Sequence, residues 1–161
     1  MTIRPFFPAD EDAIARLWEE LVAYHRRLDS DLPRAAVGGG PIYVQRMINR
    51  ADDPDSQVYV AVVKGTVVGY ILGAVVDLVP DMFVPEMCGF VADVFVTESY
   101  RRRGIGRLLV EAMTAWFQSK GVRYFEWYVA AQNPDGRAFW RSLGGRDVMV
   151  RMRTELKDND S

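Results

Sequence analysis

The residues with the most distinctive chemistry form a basic cluster at positions 98–109, ESYRRRGIGRLL. Three consecutive arginines precede Gly-Ile-Gly and the first turn of a predicted helix. Arginines at a helix N-terminus oppose the helix dipole, which is already positive there. We therefore expect an anion at this corner, because backbone N–H groups at a helix start and arginine side chains both suit phosphate groups.

Other ligand classes fit this stretch less well. A P-loop requires Gly-Lys-Ser/Thr after its spacer, and the sequence has none. Residues 104–109 lack the third glycine of the fingerprint of a dinucleotide-binding oxidoreductase, although Glu126 lies at a suitable distance for a ribose-binding acid. A nucleic-acid surface would spread basic and aromatic residues over a face. A pyrophosphate site remains, with a solvated basic turn that caps the helix as the alternative.

Length and composition favour a single domain over residues 1–161, with 49% apolar residues and a net charge of −2. One cysteine, Cys88, and one histidine, His25, cannot build a usual zinc site, so we expect no metal. Met1 is followed by no apolar signal core, and no apolar run approaches the ~20 residues of a membrane span. We therefore expect a cytoplasmic protein with no membrane or nucleic-acid partner.

Hydrophobic periodicity predicts the helices that position the basic corner. Apolar residues recur at helical spacing after Pro8 and again from Ile105 to Trp116. A short helix is predicted at 42–48, and another begins at Asn133-Pro134, an N-cap followed by proline. Residues 30–41, which include a GGG run, are predicted to be a mobile loop.

Six segments have the composition and bounding turns of β-strands. They lie at 2–6, 58–63, 66–76, 88–96, 124–129 and 148–156. Lys64-Gly65 predicts a two-residue hairpin turn between the second and third segments. The strand–helix–strand unit over residues 88–129 predicts a right-handed parallel crossover.

Two sequence blocks carry a family resemblance. Residues 101–106, RRRGIG, resemble the Q/R-x-x-G-x-G/A acyl-CoA motif of the GNAT superfamily of N-acetyltransferases. A second block of that family, N-x-x-(A/G)-x-x-F-(Y/W)-x-x-x-G, is matched by Asn133, Gly136, Phe139, Trp140 and Gly144. The resemblance implies an α+β fold of three α/β/α layers. Its mixed, mostly antiparallel sheet would have six to seven strands and a splayed parallel pair at the CoA site.

The resemblance also implies that acetyl-CoA is the co-substrate. The backbone of Val94, Phe95 and Val96 would hydrogen-bond the pantetheine arm, and the Val96 N–H would polarise the thioester carbonyl. The pyrophosphate would lie against the loop and first helical turn formed by Arg101, Arg102, Arg103, Gly104, Ile105, Gly106 and Arg107. Asn133 would contact the pantetheine or the acceptor side.

The implied reaction is direct attack of a primary amine on the thioester, which requires a general base. Asp93, within the apolar strand FVADVFV, is the candidate base or amine anchor. The alternative interpretation of Asp93 is a structural carboxylate that pairs with a nearby arginine or caps the N–H groups of a loop. The usual glutamate of the family is absent, since Phe90 stands near its place. The weaker alternatives for the base are Glu86, Glu126 and His25.

The general acid of the family is a tyrosine in the last helix, and Trp140 occupies that position here. An indole N–H does not transfer a proton at neutral pH, so solvent or Tyr128 would protonate the departing thiolate. This substitution keeps open a second function, that of a non-catalytic sensor that binds acyl-CoA.

The acceptor pocket is expected beside Tyr24, His25 and the loop 30–41. Several nearby acids favour a cationic amine of a small molecule or a protein. A homodimer that pairs copies through the last strand and the aromatic-rich region of the sheet is a further expectation.

Overall fold

A computed structural model of the chain describes residues 1–50 and 52–156. In chain order, the elements of this part are β1 (Thr2–Pro5), α1 (Glu11–Leu28), α2 (Gly39–Ile48), β2 (Ser56–Val63), β3 (Thr66–Asp77), β4 (Met87–Val96), α3 (Ile105–Ser119), β5 (Phe125–Trp127) and α4 (Pro134–Ser142). One-turn 3-10 helices at Pro8–Asp10 and Glu98–Tyr100 precede α1 and α3.

The strands form one sheet in the order β1-β2-β3-β4-β5. Neighbours pair antiparallel except β4 and β5, which are parallel and joined through α3. The predicted mixed sheet with a parallel pair is therefore confirmed. The predicted hairpin turn is confirmed as well, with positive φ at Lys64 (48°) and Gly65 (80°), as a type I′ turn requires.

The sheet has five strands in the described residues, so the prediction of six to seven strands is wrong. The missing strand is the segment 148–156, which has no regular secondary structure and exposes Val148, Val150 and Met152. Alternation of apolar side chains is a property of the residues, whereas a strand also requires a neighbour for its N–H and C=O groups.

The chain divides into two compact units, 1–128 and 129 to the C-terminus. The first contains the whole sheet and helices α1 to α3, and the second contains α4. In the second unit, the Asn133 side chain accepts a hydrogen bond from the Gly136 N–H at 2.9 Å, and Pro134 follows in the first turn. The predicted cap of this helix is therefore confirmed.

Helices cover both faces of the sheet. On one face, α1 and α2 share an apolar cluster with the sheet that includes Ile14, Leu17, Leu21, Val44, Met47, Val60, Tyr70 and Phe95. On the other face lies α3, which approaches two strands at glycines. A Cβ on Gly73 of β3 would lie 2.6 Å from the Met113 sulfur, and one on Gly89 of β4 would lie 2.8 Å from the Phe117 ring.

Helix α2 begins at Gly39, within the segment predicted to be a loop. Gly38 adopts φ 70° before the helix, and Gly39 and Gly40 are buried against α1. A Cβ on Gly40 would lie 2.9 Å from the carbonyl oxygen of Ala15. The GGG run therefore permits close packing of the two helices, and the prediction of a loop that extends to Pro41 is wrong.

Candidate active site

A β-bulge in β4 reorients the strand at the candidate base. Asp93 is opposite Leu72 and Val91 is opposite Gly73, which leaves Ala92 without a partner in β3. Upstream of the bulge, Gly89 of β4 faces α3. Gly73 of β3, which is opposite Val91, faces α3 as well. An unbroken strand would keep Asp93 on that same face, because side chains alternate with a period of two.

Downstream of the bulge, the side chains of Asp93 and Phe95 face α1 and α2 instead. Phe95 belongs to the core cluster of those helices, and Asp93 accepts a hydrogen bond from the Tyr43 hydroxyl of α2 at 2.8 Å. One extra residue in a strand exchanges its two faces, so the bulge determines where the carboxylate lies.

The parallel pairing of β4 with β5 ends at Val91 and Trp127, whereas β4 continues to Val96. On the β3 side, the Thr97 N–H donates to the Val68 carbonyl at 2.9 Å. Because backbone groups of an antiparallel strand alternate in direction, Val94 and Val96 present theirs away from β3, and Phe95 presents its groups toward β3. The end of β4 therefore has an open edge on the side where β5 has stopped.

The Arg101 side chain fixes this open edge. Its Nε donates to the Val96 carbonyl at 2.8 Å, and its guanidinium lies between the rings of Tyr24 (4.3 Å) and Phe95 (5.1 Å). The carbonyl of Val96 therefore already accepts a hydrogen bond from Arg101. The N–H of Val96 is the group of this residue that can still donate to a ligand at the edge. The guanidinium of Arg101 is held by α1 and β4, a role that the sequence did not indicate.

We expect Arg101→Ala to lower the free energy of unfolding by about 1–2 kcal/mol. The variant loses the hydrogen bond to Val96 and the stacking on two rings, each worth roughly 0.5–1.5 kcal/mol. Chemical denaturation followed by circular dichroism measures the change. Arg102→Ala is the matched control, because Arg102 is exposed. Equal stability of the wild-type protein and the Arg101 variant would contradict the positioning of the edge by this side chain.

The loop between β4 and α3 collects backbone N–H groups. Arg102 (φ 60°) and Gly104 (φ 77°) are both left-handed, and no side chain of residues 1–50 or 52–156 caps the first turn of α3. Turns with left-handed residues can direct successive backbone N–H groups to one side, an arrangement that suits anions. Backbone N–H groups at a helix start such as Ile105 and Gly106 suit an anion, and the pyrophosphate site that the basic cluster predicts stays a prediction.

The carboxyl group of Asp93 is half-buried, and burial raises its pKa from 3.8 to about 6, an effect that the hydrogen bond from Tyr43 partly opposes. Within the described residues, no ion pair joins Asp93 to a basic side chain, which argues against the paired-carboxylate interpretation. Burial also raises the pKa of Tyr43 well above 10, so its hydroxyl remains a donor.

The other candidates for the base are placed less favourably. Glu86 forms an exposed ion pair with Arg123 at 2.6 Å. His25 lies in the last turn of α1, where burial lowers its pKa, and Glu126 lies on β5 opposite Phe90. Of the four acids and bases considered, Asp93 lies on β4 beside the open edge and is hydrogen-bonded to Tyr43.

Two residues that the resemblance singled out lie in the second unit. Trp140 is buried and meets the ring of Phe139 edge-on at 5.2 Å. Asn133 is buried as well, and its side-chain oxygen caps α4. In the first unit, the candidate acid Tyr128 is exposed and contacts the Phe90 ring at 5.6 Å.

A cavity of about 530 Å³ lies between α1 and the end of β4. Its lining includes two acids, Glu20 and Glu98, and two bases, Arg27 and Arg101. The Thr97 hydroxyl donates to Glu20 at 2.6 Å across it. Charges of both signs are therefore available to a ligand that approaches the Arg101 side of β4.

Across residues 1–50 and 52–156, no helix is long and apolar enough to cross a membrane. The same residues contain no group of three or more histidine, cysteine or acidic side chains arranged to hold a metal ion.

The sheet with its parallel pair, the bulged strand β4 and the glycine-rich start of α3 together define an acetyltransferase-like fold. The chain belongs to the Acetyltransferase (GNAT) family, which it matches over residues 14–144. The family predicted from the two motifs is thus confirmed, and with it the fold class apart from the strand count.

Individual relatives agree with this assignment. A segment of 64 residues is 31% identical to L-ornithine N5-acetyltransferase NATA1 of Arabidopsis thaliana. That match covers 40% of this chain and 28% of the relative, so the chain spans less than a third of that protein.

Solved structures extend the likeness over nearly the whole chain. A mutant of the BH1408 protein from Bacillus halodurans has a TM-score of 0.87 and 25% identity, over 98% of this chain and all of that one. Aminoglycoside N-acetyltransferase AAC(6')-Iy, solved in complex with CoA, has a TM-score of 0.69 and 17% identity, over 97% of this chain and 99% of that one. Because the identity is only 17%, the likeness to AAC(6')-Iy concerns the fold alone.

Proposed function

We propose that the protein is an acetyl-CoA-dependent N-acetyltransferase that acetylates a primary amine of a small molecule or a protein. The observation that supports this most strongly is the position of Asp93, a half-buried carboxylate without a basic partner in the described residues, next to the open edge of β4. A buried carboxylate normally has a counter-charge, and the ammonium group of a substrate would supply it.

The donor would lie along the open edge. The backbone groups of Val94 and the N–H of Val96, which point away from β3, suit the amides of the pantetheine arm. The pyrophosphate suits the loop 101–106 and the start of α3, with Arg107 beside it. AAC(6')-Iy, which shares the fold, was solved with CoA, and this supports the assignment of the donor. Contact of Asn133 with the donor or the acceptor stays a prediction, as do the cytoplasmic location and the homodimer.

The chemistry needs two proton transfers. Asp93 takes a proton from the bound ammonium, and the neutral amine attacks the thioester carbon, so that a C–N bond forms. The Val96 N–H stabilises the oxyanion that develops on the carbonyl oxygen. Collapse of the intermediate breaks the C–S bond. The second proton of the attacking nitrogen passes through solvent to the thiolate, whose ordinary pKa is near ~8.5, because Trp140 cannot provide one.

Calorimetry with acetyl-CoA, CoA and NADH, followed by thiol release with a panel of primary amines, tests the proposal. We expect binding of both CoA species, no binding of NADH, and turnover with cationic amines such as ornithine, polyamines or aminoglycosides. Binding of NADH alone, or of nothing, would contradict the donor assignment. Binding of acetyl-CoA without turnover of any amine would favour the second candidate, a sensor, which the buried tryptophan in place of the tyrosine acid supports.

A further inference from the structure

We propose that Tyr43 is a positioning residue of the acetyl-transfer site, which holds the Asp93 carboxylate from helix α2. The inference rests on the proposed function, because it assigns Tyr43 a role toward the proposed base. Tyr43 and Asp93 are 50 residues apart in the chain, and the hydroxyl donates to Oδ2 at 2.8 Å.

The Tyr43 ring is held in place on two sides. It stacks on the Trp18 ring of α1 at 5.3 Å, with 18° between the planes. It meets the Tyr70 ring of β3 edge-on at 6.2 Å. A ring packed in this way has little freedom to rotate, so its hydroxyl is a fixed point for the carboxylate.

The two glycines that open α2 bring Tyr43 to this position. A Cβ on Gly39 would lie 2.9 Å from the Trp18 ring, and one on Gly40 would lie 2.9 Å from the Ala15 carbonyl. Side chains at either position would separate α2 from α1. The position of the Tyr43 hydroxyl, and with it the hydrogen bond to Asp93, therefore depends on the close contact between α1 and α2.

Fixing one carboxylate oxygen leaves the other for the substrate. Oδ2 accepts from Tyr43, and Oδ1 has no hydrogen-bond partner among the described residues. The hydrogen bond favours the ionised carboxylate, which is the form that binds an ammonium group and accepts its proton. In the described residues, Tyr43 from α2 and Tyr70 from β3 are the titratable groups that face Asp93, and none of the ion pairs includes it. Only Tyr43 is hydrogen-bonded to the carboxylate, and Tyr70 is neutral when Asp93 titrates.

Tyr70 supplies a matched comparison. Its side chain is fully buried, and its hydroxyl has no hydrogen-bond partner at acceptable geometry in the described part of the chain. Tyr43→Phe and Tyr70→Phe each remove one hydroxyl from the same cluster, but Tyr43→Phe alone removes a bond to Asp93. A general effect of packing or polarity would appear in both variants.

The test measures the titration of Asp93 in two independent ways. One is the acid limb of the pH profile of kcat/KM, and the other is the 13C signal of the Asp93 carboxyl group by NMR. We expect Tyr43→Phe to move both midpoints upward by roughly one pH unit, since a hydrogen bond to a charged group is worth about that much. Tyr70→Phe should leave both midpoints where they are in the wild-type protein.

Unmoved midpoints in folded Tyr43→Phe, or an equal shift in Tyr70→Phe, would overturn the proposal. If Tyr43→Phe does not fold, Gly40→Ala displaces α2 while it keeps the hydroxyl, and the same upward shift is expected. Absence of turnover in the wild-type protein would contradict the proposed function only, because the NMR midpoint still reports whether Tyr43 acts on Asp93.

Discussion

Replacement of Asp93 by asparagine is expected to lower kcat/KM for amine acetylation by at least about 100-fold, the usual contribution of a general base. The side chain keeps its size and can still accept from Tyr43, so acetyl-CoA affinity should be unchanged. Thiol release at several amine concentrations gives kcat/KM, and calorimetry gives the affinity for acetyl-CoA.

The same substitution is expected to stabilise the protein at neutral pH. The pKa of Asp93 is about 6 in the folded chain, against an ordinary value of 3.8. Between these values the folded protein holds a proton that the unfolded chain has released, so stability falls as the pH rises through this window. Each pKa unit corresponds to about 1.4 kcal/mol, so Asp93→Asn should gain about 2–3 kcal/mol above pH 6 and little at pH 4.

This combination of lost activity and gained stability separates a functional carboxylate from a structural one. Glu126→Gln, on the neighbouring strand β5, is the matched control, and we expect its activity and stability to be close to those of the wild-type protein. If Asp93→Asn is fully active, Asp93 is not the base. If it is destabilised at pH 8, the carboxylate contributes to the fold instead.

The second large effect is expected for Gly104→Val, which should weaken acetyl-CoA binding by more than tenfold. Gly104 adopts φ 77° immediately before α3. A β-branched residue strains that conformation by roughly 1–2 kcal/mol, and its side chain would cover the N–H groups at the helix start. Calorimetry with CoA measures the loss.

Gly121→Val is the control for the strain itself. Gly121 adopts φ 75°, and like Gly104 it has open space where a Cβ would be. It follows the opposite end of the same helix. We expect both variants to lose similar stability in thermal denaturation, but Gly121→Val to bind CoA normally. Equal CoA affinity in the two variants would remove the helix start as the pyrophosphate site.

Local patterns predicted much of the fold because the features concerned depend on neighbouring residues. The apolar stripe of α3, the Lys64-Gly65 turn and the Asn133 cap each involve contacts within a few positions of the chain. The same patterns wrongly predict the last strand, since alternation of apolar residues gives no information about a partner strand. The GGG run predicts a mobile loop because glycine in isolation is flexible.

The sequence by itself determined the family, because the family depends on motifs of contiguous residues, RRRGIG and the block that begins at Asn133. Only the tertiary structure decided how Asp93 is presented. The bulge at Ala92 turns the carboxylate toward α1 and α2, and close packing at Gly39 and Gly40 brings Tyr43 to it across 50 residues. A period-two pattern contains no signal for an extra residue in a strand, and a contact between distant segments arises only when the chain packs.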